Sequence, residues 1–146
     1  MELQTGKIAF ISGANRGIGF ETAKGLCALG ITVIIGIRDL TKGQSAAESL
    51  QALGYKAEAI HYDADQEKSA DAVYDYIYSK YGKLDILVNN AGINLEQLVG
   101  SNSSSSVSSD VLQKTFNTNL FSIVALTQKL LPLIKKSEQG RIVNLS

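Results

Sequence analysis

The chain is short of the residues that cross-link, kink or ligate. It has one cysteine (Cys27), one proline (Pro132), one histidine (His61), one methionine and no tryptophan. A lone cysteine cannot close an intrachain disulfide and fits a reducing compartment, so a cytoplasmic location is expected. Free cysteines are mostly buried, and Cys27, within reach of Ile18, Ala23 and Leu26, reads as a core thiol. A single histidine with no cysteine or second histidine at ligand spacing leaves no zinc-type site, so no metal is expected. Neither sign of charge is in excess: 14 basic residues face 14 acidic ones. That balance argues against nucleic acid and against an anionic membrane surface as partner. Long apolar runs are also missing. Residues 1–7 lack the apolar core of a signal peptide. The most apolar stretch, 119–134, carries Gln128, Lys129 and Pro132 and reads as a buried helix rather than a membrane span.

What is present is an alternation of short apolar runs with amphipathic segments in a chain of 146 residues, 45% hydrophobic and 19% charged. Strands are predicted at Lys7–Ser12, Thr32–Ile37, Lys56–Tyr62, Leu84–Asn89 and Arg141–Leu145. Helices are predicted at Gly17–Leu29 with Gly30 as its stop, at Leu40–Leu53 before Gly54, from Asp65 as N-cap to about Tyr81, and from Asp110 to Ile134 with Pro132 in its last turn. Regular strand–helix–strand repetition demands parallel strands joined by right-handed crossovers. The expected fold is therefore one α/β domain over residues 1–146, a doubly wound parallel sheet in the order 3-2-1-4-5. One serine-rich patch, Ser101–Ser109, interrupts the pattern after the fourth strand; it reads as a surface loop, with a flap over a ligand cleft as the alternative.

Between the first strand and the first helix stands Ser12-Gly13-Ala14-Asn15-Arg16-Gly17-Ile18-Gly19. The order has a physical reason. A sharp turn uses glycine, a diphosphate must approach the backbone without meeting a side chain, and a helix N-terminus offers free N–H groups and partial positive charge. Gly13, Asn15, Arg16, Gly17, Ile18 and Gly19 are thus the expected cradle of a dinucleotide. Coenzyme choice follows from the end of the second strand, where a carboxylate would take a ribose 2′-hydroxyl and a guanidinium a 2′-phosphate. Arg38 follows Ile37 there, and Arg16 adds a second cation. NADP(H) is favoured over NAD(H); Asp39 is the contrary indication, should the strand end one residue later.

Four motifs in order make the chain resemble the short-chain dehydrogenase/reductase family. Ser12–Gly19 is similar to its T-G-x-x-x-G-x-G turn, with Ser12 in place of the usual Thr. Asn89-Asn90-Ala91-Gly92 matches its N-N-A-G motif, Asn119 matches the helix asparagine, and Gly140–Ser146 looks like the fifth strand leading into the active site. Arg38–Gly43 and Leu130–Ile134 look most like the NADPH-dependent carbonyl reductase branch. The resemblance implies an oxidoreductase moving a hydride between nicotinamide and a small-molecule carbonyl or alcohol. It implies that Asp63, followed by Ala64, accepts a hydrogen bond from the adenine amino group. Asn90 would contact the nicotinamide-side ribose through its backbone, Gly92 would leave the coenzyme room, and Asn119 would serve catalysis through a water; Asn89 would tie neighbouring strands instead.

The family's catalytic Tyr-x-x-x-Lys pair is not found after the fifth strand. The spacing occurs once, at Tyr76–Lys80, on the helix before the fourth strand, and reads there as chance. Ser146 aligns with the first of a family Ser-Ser pair whose second member is catalytic; a register slip would make it the catalytic one. The expectation is a domain incomplete at its C-terminus, inactive alone, with an unpaired strand and uncovered apolar surface favouring self-association or a homo-oligomer. Two alternatives stand beside it: a non-catalytic dinucleotide-binding module, and an interaction protein reusing the fold.

Overall fold

A computed structural model of the chain describes residues 4–14, 17–90 and 109–145; for 111, 112 and 114–119 only the backbone is described. The apolar runs form strands β1 (Ile8–Ser12), β2 (Thr32–Ile37), β3 (Ala57–His61), β4 (Ile86–Asn89) and β5 (Arg141–Asn144). They pair in one parallel sheet of order β3-β2-β1-β4-β5. Helices α1 (Gly17–Ala28), α2 (Leu40–Gln51), α3 (Glu67–Lys80) and α4 (Ser109–Ile134) alternate with them. This is the doubly wound sheet that the sequence pattern predicts.

Period-two alternation divides the core. Ala9, Ile11, Val33, Ile35 and Val88 face Ala23 and Cys27 of α1 and Ala46 and Leu50 of α2. Ile8, Phe10, Ile34 and Leu87 face Val73 and Ile77 of α3 and Leu126, Leu130 and Leu133 of α4. Central strands buried on both sides need apolar residues at every position, which is why β1 and β2 read as unbroken apolar runs. β5, at the sheet edge, is exposed along its length.

Asp85, buried just before β4, pins the amino-terminal edge of the sheet. Its carboxylate accepts from the Ile8 amide at 2.8 Å, the Ser137 hydroxyl at 2.5 Å and the Lys83 ammonium at 2.9 Å. It thereby joins the start of β1, the start of β4 and the segment after α4. Burial alone would raise its pKa. The hydrogen bonds from Ser137, Lys83 and Ile8 outweigh burial and hold it below the ordinary carboxylate value.

One reading is corrected here, and one pair of residues gains a structural use. Asp65 does not cap α3; Gln66 occupies the N-cap without a side-chain bond, and the Asp65 amide donates instead to Asp63 Oδ1 at 2.9 Å. The Tyr76–Lys80 pair, expected to have no catalytic part, has a structural one. Tyr76 Oη donates to Glu58 Oε1 at 2.7 Å, Lys80 Nζ reaches Glu58 Oε2 at 2.7 Å, and Tyr81 Oη donates to Oε1 at 3.1 Å. Glu58 lies near the start of edge strand β3, so the cluster straps the end of α3 to that edge, remote from the carboxyl ends of the strands. Pro132 is accommodated within α4, which runs on to Ile134.

Candidate functional site

The carboxyl ends of β1, β2, β3 and β4 meet where the strand order reverses direction between β1 and β4, the place where open α/β sheets hold ligands. The glycine turn sits there. Gly13 (φ 70°) and Gly17 (φ 65°) adopt the left-handed conformation that side chains resist. The Gly13 amide donates to the Gly36 carbonyl at 2.7 Å, fastening the turn to β2. α1 begins at Gly17, so its first amides, which have no partners within the helix, face this rim. A Cβ on Gly17 would meet nothing within 4 Å, so a ligand can approach the backbone there.

Asn90 closes the turn from the β4 side. Its amide donates to Ser12 Oγ at 3.0 Å, and its Nδ2 donates to the Gly13 carbonyl at 3.1 Å. The serine that departs from the family's threonine thus supplies a needed acceptor. A Cβ on Gly19 would lie 2.1 Å from Asn90 Nδ2 and 3.1 Å from Ala14 Cα. Any larger residue at 19 would make Asn90 give up its place and press on the turn at Ala14. With the Asn90 amide engaged, a backbone contact from this residue to a ligand falls to its carbonyl.

Asn89, beside it, is buried and donates through Nδ2 to Asn144 Oδ1 at 2.8 Å and Thr127 Oγ1 at 3.3 Å. It joins β4, β5 and α4, in keeping with a strand-tying role. Its Oδ1 has no partner among the described residues. Thr127 and Asn144 were not singled out by sequence reasoning, because nothing local marks a contact made across 38 and 55 residues.

At the carboxyl ends of β2 and β3, Ile37 pairs with His61, so the residues after the two strands lie side by side. Arg38 Nε lies 4.0 Å from Asp63 Oδ2, and Arg38 Nη1 lies 4.0 Å from Asp65 Oδ2. Asp63 is braced by its neighbours: its amide donates to Ser69 Oγ at 2.8 Å and its Oδ1 accepts from the Asp65 amide. The Ala64 carbonyl accepts from Ser122 Oγ of α4 at 2.9 Å. Asp39 is spent on capping α2, its Oδ1 accepting from the Thr41 amide at 3.1 Å. Tyr62 lies under the loop, edge-on to Phe10 with centroids 6.1 Å apart, and burial with the neighbouring Asp63 pushes its hydroxyl up to about 12.

The site thus assembles Gly13, Gly17, Ile18, Gly19, Arg38, Asp63, Ala64 and Asn90 along one rim. Asn119 belongs to α4 by its backbone, and its side chain lies outside the described residues. Asn15, Arg16, Gly92, Ser146 and residues 101–108 also lie outside them. Asp65 is the residue that sequence reasoning misassigned. Its local signal, an acid just before a helix, pointed to a cap, and only the adjacency of β2 and β3 brings it to Arg38.

A glycine turn from β1 into α1, a cation after β2 and paired asparagines at the end of β4, set on a parallel sheet of order β3-β2-β1-β4-β5, define a Rossmann-like α/β domain. The chain belongs to the short chain dehydrogenase family, whose profile matches residues 7–146. Among relatives, it is 39% identical over 140 residues to carbonyl reductase (NADPH) 1 of Mus musculus, covering 95% of this chain and 48% of that protein. It is 33% identical to short-chain dehydrogenase/reductase 1 of Saponaria officinalis over 96% of the chain and 52% of that protein. Among solved structures, menthone neomenthol reductase from Mentha piperita superposes with a TM-score of 0.80 at 32% identity, over 96% of this chain and 60% of that one. The chain spans about half the length of the curated relatives it matches.

Proposed function

We propose that this chain forms the coenzyme-binding half of an NADP(H)-dependent oxidoreductase that interconverts a small-molecule carbonyl and its alcohol. The reading rests above all on one observation: a glycine turn at the carboxyl rim with Arg38, not a carboxylate, following β2, while the nearest acid, Asp39, is occupied in capping α2. The names of the carbonyl reductase relatives, which include NADPH, agree with it.

When bound, the coenzyme would supply hydride from its nicotinamide. The chain's own residues would do the rest. The open backbone at Gly17 and the first amides of α1 would hold the diphosphate, with Gly13 shaping the turn. Arg38, with Arg16, would hold the 2′-phosphate through charge-assisted hydrogen bonds. Asp63 would accept from the adenine amino group, Ala64 and Ile18 would flank the adenosine, and Asn90 and Gly92 would border the nicotinamide ribose. Asn119 would position a water for proton transfer.

A second reading applies to these 146 residues taken alone. The only Tyr-x-x-x-Lys in them is Tyr76–Lys80, and its side chains are spent on Glu58. The isolated chain is then a dinucleotide-binding module without turnover. The test is a titration of the purified chain with NADPH and NADH, followed by nicotinamide fluorescence, beside an assay of NADPH oxidation with simple aldehydes and ketones. Saturable binding with NADPH tighter than NADH, and no oxidation, is expected. Absence of binding by either at millimolar concentration defeats the coenzyme reading, and measurable oxidation defeats the second.

A further inference from the structure

Arg38 is not a free cation awaiting a phosphate. Its guanidinium rests between two carboxylates, 4.0 Å from Asp63 Oδ2 and 4.0 Å from Asp65 Oδ2. The two acids differ. The Asp63 side chain is 13% exposed and already accepts from the Asp65 amide, whereas the Asp65 side chain is 65% exposed and has no other ion pair among the described residues. At 4.0 Å these contacts attract without saturating the guanidinium N–H donors, and exposed pairs of this kind hold weakly. A phosphate at hydrogen-bond distance would displace them.

The displacement has a cost that falls on one class of ligand only. A phosphate on the adenosine 2′-oxygen must draw Arg38 away from Asp65 and then sit near a carboxylate that has lost its counter-charge. A 2′-hydroxyl needs no guanidinium and leaves the Arg38–Asp65 pair intact. Resting on the NADP(H) reading above, we propose that Asp65 is a specificity-determining residue. By competing for Arg38, it sets how strongly the site prefers 2′-phosphorylated over unphosphorylated adenosine. It limits that preference, and so favours release of the phosphorylated coenzyme. Asp63, held by its own loop, keeps its place in both states.

The substitution Asp65→Asn preserves shape and retains the backbone bond to Asp63, so it removes the competing charge without disturbing the loop. The probes are adenosine 2′,5′-diphosphate and adenosine 5′-diphosphate, titrated calorimetrically into the chain and into Asp65→Asn, Arg38→Gln and the double variant. Asp65→Asn is expected to tighten the 2′,5′-diphosphate about two- to fivefold, the range spanned by exposed ion pairs, and to leave the 5′-diphosphate unchanged. In the Arg38→Gln background the effect of Asp65→Asn is expected to vanish, since it acts through the arginine. Equal tightening of both nucleotides, no change in either, or undiminished tightening without Arg38 overturns the proposal while leaving the coenzyme reading in place. Failure of both nucleotides to bind the unmodified chain at millimolar concentration overturns the coenzyme reading and this proposal together.

Discussion

Gly19 has room for hydrogen and little else, because its missing Cβ would fall 2.1 Å from Asn90 Nδ2. Replacing it with alanine gains up to about 1 kcal/mol of helix propensity and costs about 1–3 kcal/mol of overpacking, so packing wins. A net loss of about 1 kcal/mol is expected in thermal unfolding, with weaker NADPH binding, because Asn90 must release Gly13. Asp85 makes the opposite kind of contact, a buried charge that three donors satisfy. Asp85→Asn is expected to cost about 1.5–3 kcal/mol. The folded pKa of Asp85 is depressed, so its contribution is complete above the unfolded value of about 4 and is lost as pH falls below it toward the folded value. Stability measured by denaturant at a series of pH values should therefore fall more steeply below about pH 4 in the original chain than in Asp85→Asn. Cys27 was legible as a core thiol from its type and helix position. Burial pushes it up to about 11, so it should resist a disulfide reagent at neutral pH until the chain is unfolded. Asp65 was misread because an acid just before a helix satisfies a capping rule. Only the distance to Arg38, which follows the neighbouring strand, reveals its partner.

Helix ends and strand edges show how far local rules reach. Asp39 caps α2 as such rules allow, its Oδ1 accepting from the Thr41 amide. Asp39→Ala should lower stability by about 1 kcal/mol in thermal unfolding without shifting the NADPH-to-NADH affinity ratio; a shift toward NADPH would show that the acid does reach the ribose. On edge strand β3, Glu58 receives Tyr76, Lys80 and Tyr81 from the end of α3. The tyrosine hydroxyls are pushed upward, by burial first and by Glu58 next for Tyr76, while hydrogen bonds to Glu58 and Tyr76 push Lys80 upward. The strand and helix were each predictable from their periodicity. Their strap was not, because it joins residues 18 to 23 positions apart that sequence alone assigns to separate elements.

Across the molecule, apolar residues are distributed unevenly. The sheet interior is sealed on both faces, yet Ile142 and Val143 of β5 and Leu120, Phe121 and Val124 of α4 are exposed. Among the described residues β5 is an edge strand and α4 carries an apolar face, a combination that favours association between copies. Sedimentation velocity over a range of concentrations should show self-association that Phe121→Glu with Val143→Lys suppresses; a single monomeric species throughout would refute it. The alternation of strands and helices, the position of the glycine turn and the cation after β2 followed from the sequence by itself, because each is encoded in consecutive residues: a period of two, a period of 3.6, or glycines where a strand must turn. The tertiary structure alone decided that Arg38 lies between Asp63 and Asp65, that Asn89 joins Thr127 and Asn144, and that Asn90 fills the space against Gly19. Those contacts depend on which strands lie side by side, and parallel pairing brings together side chains that the chain separates by a whole helix.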